Sequence, residues 1–161
     1  MVKSLRQRTS AGMMECKKAL VESEGDIEKA IELLRKKGAA SAEKKSGRIA
    51  AEGRILQKIS TDGKQGVLIE VNCETDFVAR TGDFKELAHN LAMQIAAMAP
   101  TYLDDSDIPN EFDGDPEDHC LMQQSYIKDP AKTVQDLVTE AVAKLGENVR
   151  VRRFSRFTLG E

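Results

Sequence analysis

Glu70-Val71-Asn72-Cys73-Glu74-Thr75-Asp76-Phe77-Val78-Ala79-Arg80-Thr81-Gly82-Asp83-Phe84 joins two different periodicities. Upstream, Val67, Ile69, Val71 and Cys73 alternate with Leu68, Glu70 and Asn72, the period of a strand with one face on a core and the other at least partly wet. Downstream, Phe84, Leu87, Ala88, Leu91, Ile95 and Met98 recur at helical spacing across 83–98, and Pro100 stops the run. Polar turn residues belong at the junction. Phe77 stands there instead, one of five Phe in a chain without Trp. An apolar side chain on such a connection either plugs its own core, with Asp76 capping the turn, or enters a partner's pocket. The residues alone leave both readings open.

Working outward, 54–60 pairs with 67–73 as a hairpin around Thr61-Asp62-Gly63-Lys64-Gln65-Gly66. Residues 149–158, with Val149, Val151, Phe154 and Phe157, supply a third strand. Val134, Leu137, Val138, Ala141, Val142 and Leu145 make 133–145 an amphipathic helix capped by Gly146. At the other end, 10–22 reads as a helix with Thr9 as N-cap. A turn at Ser23-Glu24-Gly25 follows, and Asp26 caps a second helix with Ile27, Ala30, Ile31 and Leu34 on one face. Gly38 is expected to end it, and an Ala-rich helix over 39–45 to complete a three-helix unit. Gly47 to Gly53 form a link. Residues 101–119, with Pro109, Gly114, Pro116 and eight acidic groups, read as an exposed loop. The expected fold class is α+β: an N-terminal three-helix module over 1–46, then a core over 54–161 in which a small antiparallel three-stranded sheet packs with helices.

Composition bounds the function. The chain has 161 residues, is 40% hydrophobic and 32% charged, and carries a net charge of −3. That suits a globular, helix-rich protein and gives no argument for general nucleic-acid binding. Charge is uneven: 1–58 leans basic, 104–118 holds no Lys or Arg, and Arg150, Arg152, Arg153 and Arg156 make the tail basic again. The Lys and Arg runs fall on polar helix faces and are not interleaved with aromatics, which is the pattern of a solvated surface. Three Cys without a close pair point to a reducing compartment. No apolar run approaches a membrane span, and no signal-peptide h-region opens the chain. A cytoplasmic protein, or the mature form of an organelle protein, is expected.

Little in the sequence supports covalent chemistry. His89 and His119 could in principle meet Cys73 or Cys120 as a Cys–His nucleophile, but no spacing favours it. The glycines form neither a phosphate loop nor a dinucleotide fingerprint. The Cys spacing does not suit zinc. Asp104-Asp105-Ser106-Asp107 and Asp113-Gly114-Asp115 lack the ligand order and closing Glu of a calcium loop. The expectation is a protein that is not an enzyme, has no catalytic residues, and takes no cofactor, metal or nucleotide of its own.

Several stretches resemble one family. Leu5-Arg6-Gln7-Arg8-Thr9-Ser10-Ala11-Gly12-Met13-Met14-Glu15-Cys16-Lys17-Lys18-Ala19-Leu20 is similar to the opening of elongation factor Ts, with Ser10 where that family favours Gly. Gly25-Asp26-Ile27, Ala30-Ile31 and Leu34-Arg35 resemble the second helix of its ubiquitin-associated-like module. Glu52-Gly53, the 70–84 stretch, Cys120-Leu121, Ile127-Lys128-Asp129, Gly146-Glu147-Asn148 and Arg152-Arg153-Phe154 also match. The likeness covers 1–100 and 120–161. The family usually carries a helical segment with a Gly-Lys-Pro turn where this chain has its acidic loop, and longer members have a second core half and a coiled-coil insertion. This chain resembles the short, single-core form and is shorter still.

The resemblance implies a guanine-nucleotide exchange factor whose partner is the GTPase elongation factor Tu. It implies that the helical module docks on the GTPase, with Arg8, Gly12 and Met13 among the contacts. Thr75, Asp76, Phe77 and Val78 would reach its switch region, with Phe77 inserted near the magnesium site and Asp76 hydrogen-bonding beside it. Short members can pair into homodimers. No direct nucleotide, nucleic-acid or membrane binding is implied. The rival classes are an adaptor that binds without exchanging and, last, a small Cys–His enzyme.

Overall fold

The computed structural model describes all 161 residues, Met1–Glu161. It is an α+β fold. Three helices open it: α1 (Val2–Thr9), α2 (Met13–Glu22) and α3 (Ile27–Lys45). The hairpin β1 (Glu52–Ile59) and β2 (Gln65–Cys73) follows, then the short α4 (Asp76–Ala79) and the long α5 (Gly82–Met98). After α6 (Pro116–His119) come β3 (Ser125–Tyr126), β4 (Asp129–Thr133), α7 (Val134–Leu145) and β5 (Arg150–Thr158). The main sheet has the order β1-β2-β5, antiparallel throughout, and β3 and β4 form a separate small hairpin. No helix is long and apolar enough to cross a membrane.

The core is the product of two periodicities meeting. Val67, Ile69, Val71 and Cys73 of β2, with Val151 of β5, form one sheet face. Phe84, Leu87, Ala88, Leu91, Ala92 and Ile95 of α5, and Val134, Val138 and Val142 of α7, cover it. Full burial of a side chain such as Phe84 contributes about 1.5–3 kcal/mol, and α5 supplies most of the large ones. Met98, the last residue of the expected stripe, is exposed. Asn72 departs from the alternation: it lies on the outer face yet is only 6% exposed. Caps behave as their residue types dictate. The Asp26 side chain accepts from Lys29 N, Thr133 and Asp136 form a reciprocal capping box, and Gly146 ends α7 with φ 75°. β5 carries an irregularity opposite Glu70 and Val71. An extra residue there brings both Arg152 (3.8 Å) and Arg153 (2.7 Å) to the Glu70 carboxylate.

The three-helix module is present, but its helices are not the expected three. Thr9 is not the N-cap of a helix over 10–22. It ends α1, where its hydroxyl donates to Leu5 O at 2.8 Å, and Ser10 turns the chain with φ 56°. Gly12 is the N-cap of α2. Leu5, Cys16, Ala19, Leu20 and Ala30 fill the small core between these helices. Gly38 does not end the next helix either. α3 runs unbroken to Lys45 and absorbs the expected helix over 39–45. A mid-helix Gly costs about 1 kcal/mol against Ala. Here the glycine backs onto α7, where an added Cβ would sit 3.6 Å from Ala143 Cβ, and Ala42 packs against the main core. Tertiary packing overrides the local signal, and α3 thereby spans module and core.

The hairpin strands begin two residues earlier than expected, at Glu52 and Gln65. The 101–119 segment is mostly exposed but folded. It holds a 3-10 turn at Asp105–Asp107, a bridge from Tyr102 to Cys120, and Phe112 edge-on to both Tyr102 (5.4 Å) and His119 (5.1 Å). Leu103 packs against the main core.

Candidate partner-binding site

The turn between β2 and α5 is built to hold one side chain out. β2 ends at Cys73, and Thr75 in extended conformation becomes the N-cap of α4, its hydroxyl accepting from Val78 N. Asp76 takes the first helical position, where a carboxylate suits the exposed N–H groups, and pairs with Arg80 at 2.9 Å. Ala79 is buried at 4%. Val78 is half-buried against the main core. Phe77 points the other way and is 76% exposed. The core-plug reading of Phe77 is therefore wrong, because the helical turn commits Val78 and Ala79 to the core instead.

This short helix is pinned at both ends. Arg54 of β1 donates from Nε to Ala79 O at 2.8 Å. Thr81 donates to Val78 O at 2.7 Å and accepts from Phe84 N, so it closes α4 and caps α5 together. On the upstream side, Glu147 accepts from Glu74 N (3.2 Å), Thr75 N (3.0 Å) and the Thr75 hydroxyl (2.7 Å). The sequence pattern does not assign this role to Arg54 or Glu147. Each comes from a distant strand or turn, and only the fold brings it here. The signals for Glu147 are the family resemblance at Gly146-Glu147-Asn148 and a charged residue immediately after a helix-capping glycine.

The other expected contacts lie on the helical module. Arg8 is on α1 and pairs with Glu28 at 2.7 Å. Gly12 opens α2 with nothing within 4 Å of an added Cβ, and Met13 beside it is 60% exposed. No hydrogen bond or ion pair joins this group to Thr75–Val78.

The Cys–His reading finds no geometry. No hydrogen bond joins any Cys to a His. Burial pushes the Cys73 thiol up, and the Glu147 carboxylate adds to the effect; its Sγ donates to Thr75 O. Burial also raises Cys120, with Asp105, Asp104 and Asp107 contributing. Both are displaced away from the nucleophilic thiolate. No group of three His, Cys, Asp or Glu side chains is arranged to hold a metal ion.

A family model described as Elongation factor TS matches residues 2–115. A protein named elongation factor Ts from Moorella thermoacetica is 50% identical over 190 aligned positions, covering 99% of this chain and 94% of its own.

The chain belongs to the elongation factor Ts family.

A second elongation factor Ts, from Thermotoga neapolitana, is 50% identical over 189 positions, covering all of this chain and 96% of its own. One from Syntrophomonas wolfei is 49% identical over 191 positions, covering all of this chain and 89% of its own. The family is that of the nucleotide-exchange factor for elongation factor Tu. These alignments have more positions than the chain's 161 residues, so the relatives carry aligned positions opposite which this chain has no residue.

Proposed function

We propose that this chain binds elongation factor Tu in its GDP form and promotes GDP release, so supporting translation elongation in the cytoplasm. The observation that carries this reading is Phe77, a fully presented aromatic on a helical turn pinned at both ends. The turn commits Val78 and Ala79 to the core and holds the aromatic ring in solvent on a fixed backbone, the form of an anchor that fills a partner's pocket. The module over 1–46, with Arg8, Gly12 and Met13, would dock on the GTPase, and the core over 54–161 would bring Thr75, Asp76, Phe77 and Val78 to its switch region. Phe77 would wedge between side chains near the partner's magnesium. Asp76 would leave Arg80 for a hydrogen bond there, a small loss because an exposed pair contributes little. Mg²⁺ demands near-ideal octahedral geometry, so small shifts of its ligands weaken it. If the factor binds the nucleotide-free GTPase more tightly, GDP binds the complex more weakly by the same factor. No bond is made or broken.

The test is release of a fluorescent GDP analogue from elongation factor Tu, with this chain and Phe77→Ala side by side. Fast release with the chain and slow release with the folded variant are expected. Absence of acceleration by the chain refutes the reading.

Two copies would also pair through the outer sheet face. Ile59, Gly66 and Phe157 lie in one row across the three strands, and Leu68 and Ile55 stand on the same face. All four apolar side chains are exposed. Sheets pack face to face through such surfaces.

A further inference from the structure

The turn after α7 does more than return the chain to the sheet. Gly146 reverses it in the left-handed region, and the two residues that follow each turn a side chain onto a different segment. Glu147 takes three hydrogen bonds from Glu74 and Thr75, the residues that lead into the helix bearing Phe77. Asn148 donates from Nδ2 to Arg48 O at 2.8 Å and to Ser46 O at 3.5 Å, in the link that leaves the helical module. Its own N–H donates to Glu74 Oε1 at 2.8 Å, and Arg48 approaches the same oxygen at 3.5 Å. Asn148 is buried and Glu147 half-buried. The partners are about a hundred residues away for Asn148 and more than seventy for Glu147. Link, Phe77 turn and sheet edge therefore meet at one corner.

We propose that Glu147 is a positioning residue for the Asp76–Phe77 wedge, and that Asn148 holds the module's link in register with it. The proposal rests on the exchange-factor reading. A wedge works only if it arrives in place, and a displacement of about 1 Å in a supporting group can cost a hundredfold in rate. Hydrogen bonds to a carboxylate are about twice as strong as neutral ones. Three of them on Glu74 and Thr75 remove the freedom that this turn would otherwise have. Arg54 secures only the far end, at Ala79. The N-terminal end, nearest Phe77, depends on Glu147. Asn148 acts differently. It fixes where the module leaves the core, and so the separation between the docking surface and the wedge.

The two roles separate in a titration of GDP release against factor concentration. Glu147→Ala is expected to lower the maximal rate at least fivefold while leaving the half-saturating concentration within twofold. Glu147→Gln keeps an acceptor for the two amides and should recover most of the rate. Asn148→Ala is expected mainly to raise the half-saturating concentration. A maximal rate in Glu147→Ala equal to that of the unaltered chain overturns the proposal. Amide hydrogen exchange gives a readout independent of the partner. The Glu74 and Thr75 amides should exchange at least tenfold faster in Glu147→Ala, with Leu91 and Ile95 of α5 unchanged. If the unaltered chain does not release GDP, the exchange-factor reading fails by itself. The amides then decide, and unchanged protection at Thr75 in Glu147→Ala overturns the positioning role.

Discussion

Phe77 and Ala79 lie two residues apart in α4 and have opposite environments: Ala79 is 4% exposed, Phe77 76%. Arg54 donates from Nε to the carbonyl of Ala79 at 2.8 Å. The helical turn is thus fastened by its small side chain and its backbone, which leaves its large side chain exposed, as the proposed contact with the GTPase requires.

Stability measurements should separate that role from packing. Phe77→Ala removes a side chain that touches little of the core, so unfolding in urea should shift by no more than about 0.5 kcal/mol. Phe84→Ala, seven residues on and fully buried, should cost about 3–5 kcal/mol. A loss at Phe77 comparable to that at Phe84 would contradict the exposed placement.

Much of this frame is legible in the sequence because the signals are local. The alternation in 67–73 names its own buried face, the spacing in 83–98 and 133–145 names the helices that cover it, and Asp26 and Gly146 act as caps by residue type. The failures have different causes, a distant group at Gly38, a neighbouring turn at Thr9 and a missing signal at β3–β4. Gly38 looks like a stop until α7 packs against it. Thr9 looks like a cap until the preceding residues form their own helix and claim its hydroxyl. The β3–β4 hairpin has no alternation to announce it. The candidate site divides in the same way. Thr75 to Val78 stand out as an aromatic at a junction, whereas Arg54, Glu147 and Asn148 support them from across the sequence, and nothing in their own stretches names those partners.

Gly53 provides a test of backbone fit. Its φ of 149° is a conformation that side chains rarely adopt, and an added Cβ would meet Val71 O and lie 2.7 Å from Asn72 Cα. These are strand backbone atoms that cannot swing away. Gly53→Ala should cost about 3 kcal/mol, strain and overpacking together. Gly63→Ala is the control. Gly63 also has positive φ, 68°, but nothing lies within 4 Å of an added Cβ, so it should lose only about 1 kcal/mol. Thermal unfolding of the two variants side by side checks the difference.

The cysteines predict a pH dependence. Cys73 and Cys120 both lie above the ordinary thiol value of 9.0, burial being the main cause in each. Native protein near neutral pH should therefore resist iodoacetamide at both, and exchange activity should survive the treatment, whereas protein unfolded in urea should react readily. The linkage has the corresponding sign. A folded-state pKa raised above the unfolded value favours the native state fully below about 9. That contribution is lost as pH rises through the folded value. Melting temperatures should fall more steeply above pH 9 in the unaltered chain than in Cys73→Ala.

The outer sheet face predicts a dimer that one substitution abolishes. Phe157 is 74% exposed, and in the strand register it shares a row with Gly66 and Ile59. Gly66 has no side chain to fill the middle of that row, and Ile59 leans over it, with Cδ1 at 3.3 Å from where a Cβ would be. A second copy laid across this face would bury Ile55, Ile59, Leu68 and Phe157 against their counterparts. A stable interface of this kind covers roughly 1,200–2,000 Å² in total. Phe157→Glu places a charge in that face without touching the core, so the variant should fold as before and sediment as a monomer where the unaltered chain sediments as a dimer. Sedimentation velocity over a concentration series decides it. A monomeric unaltered chain at every concentration removes the pairing, and a dimer that persists in Phe157→Glu moves it to another face.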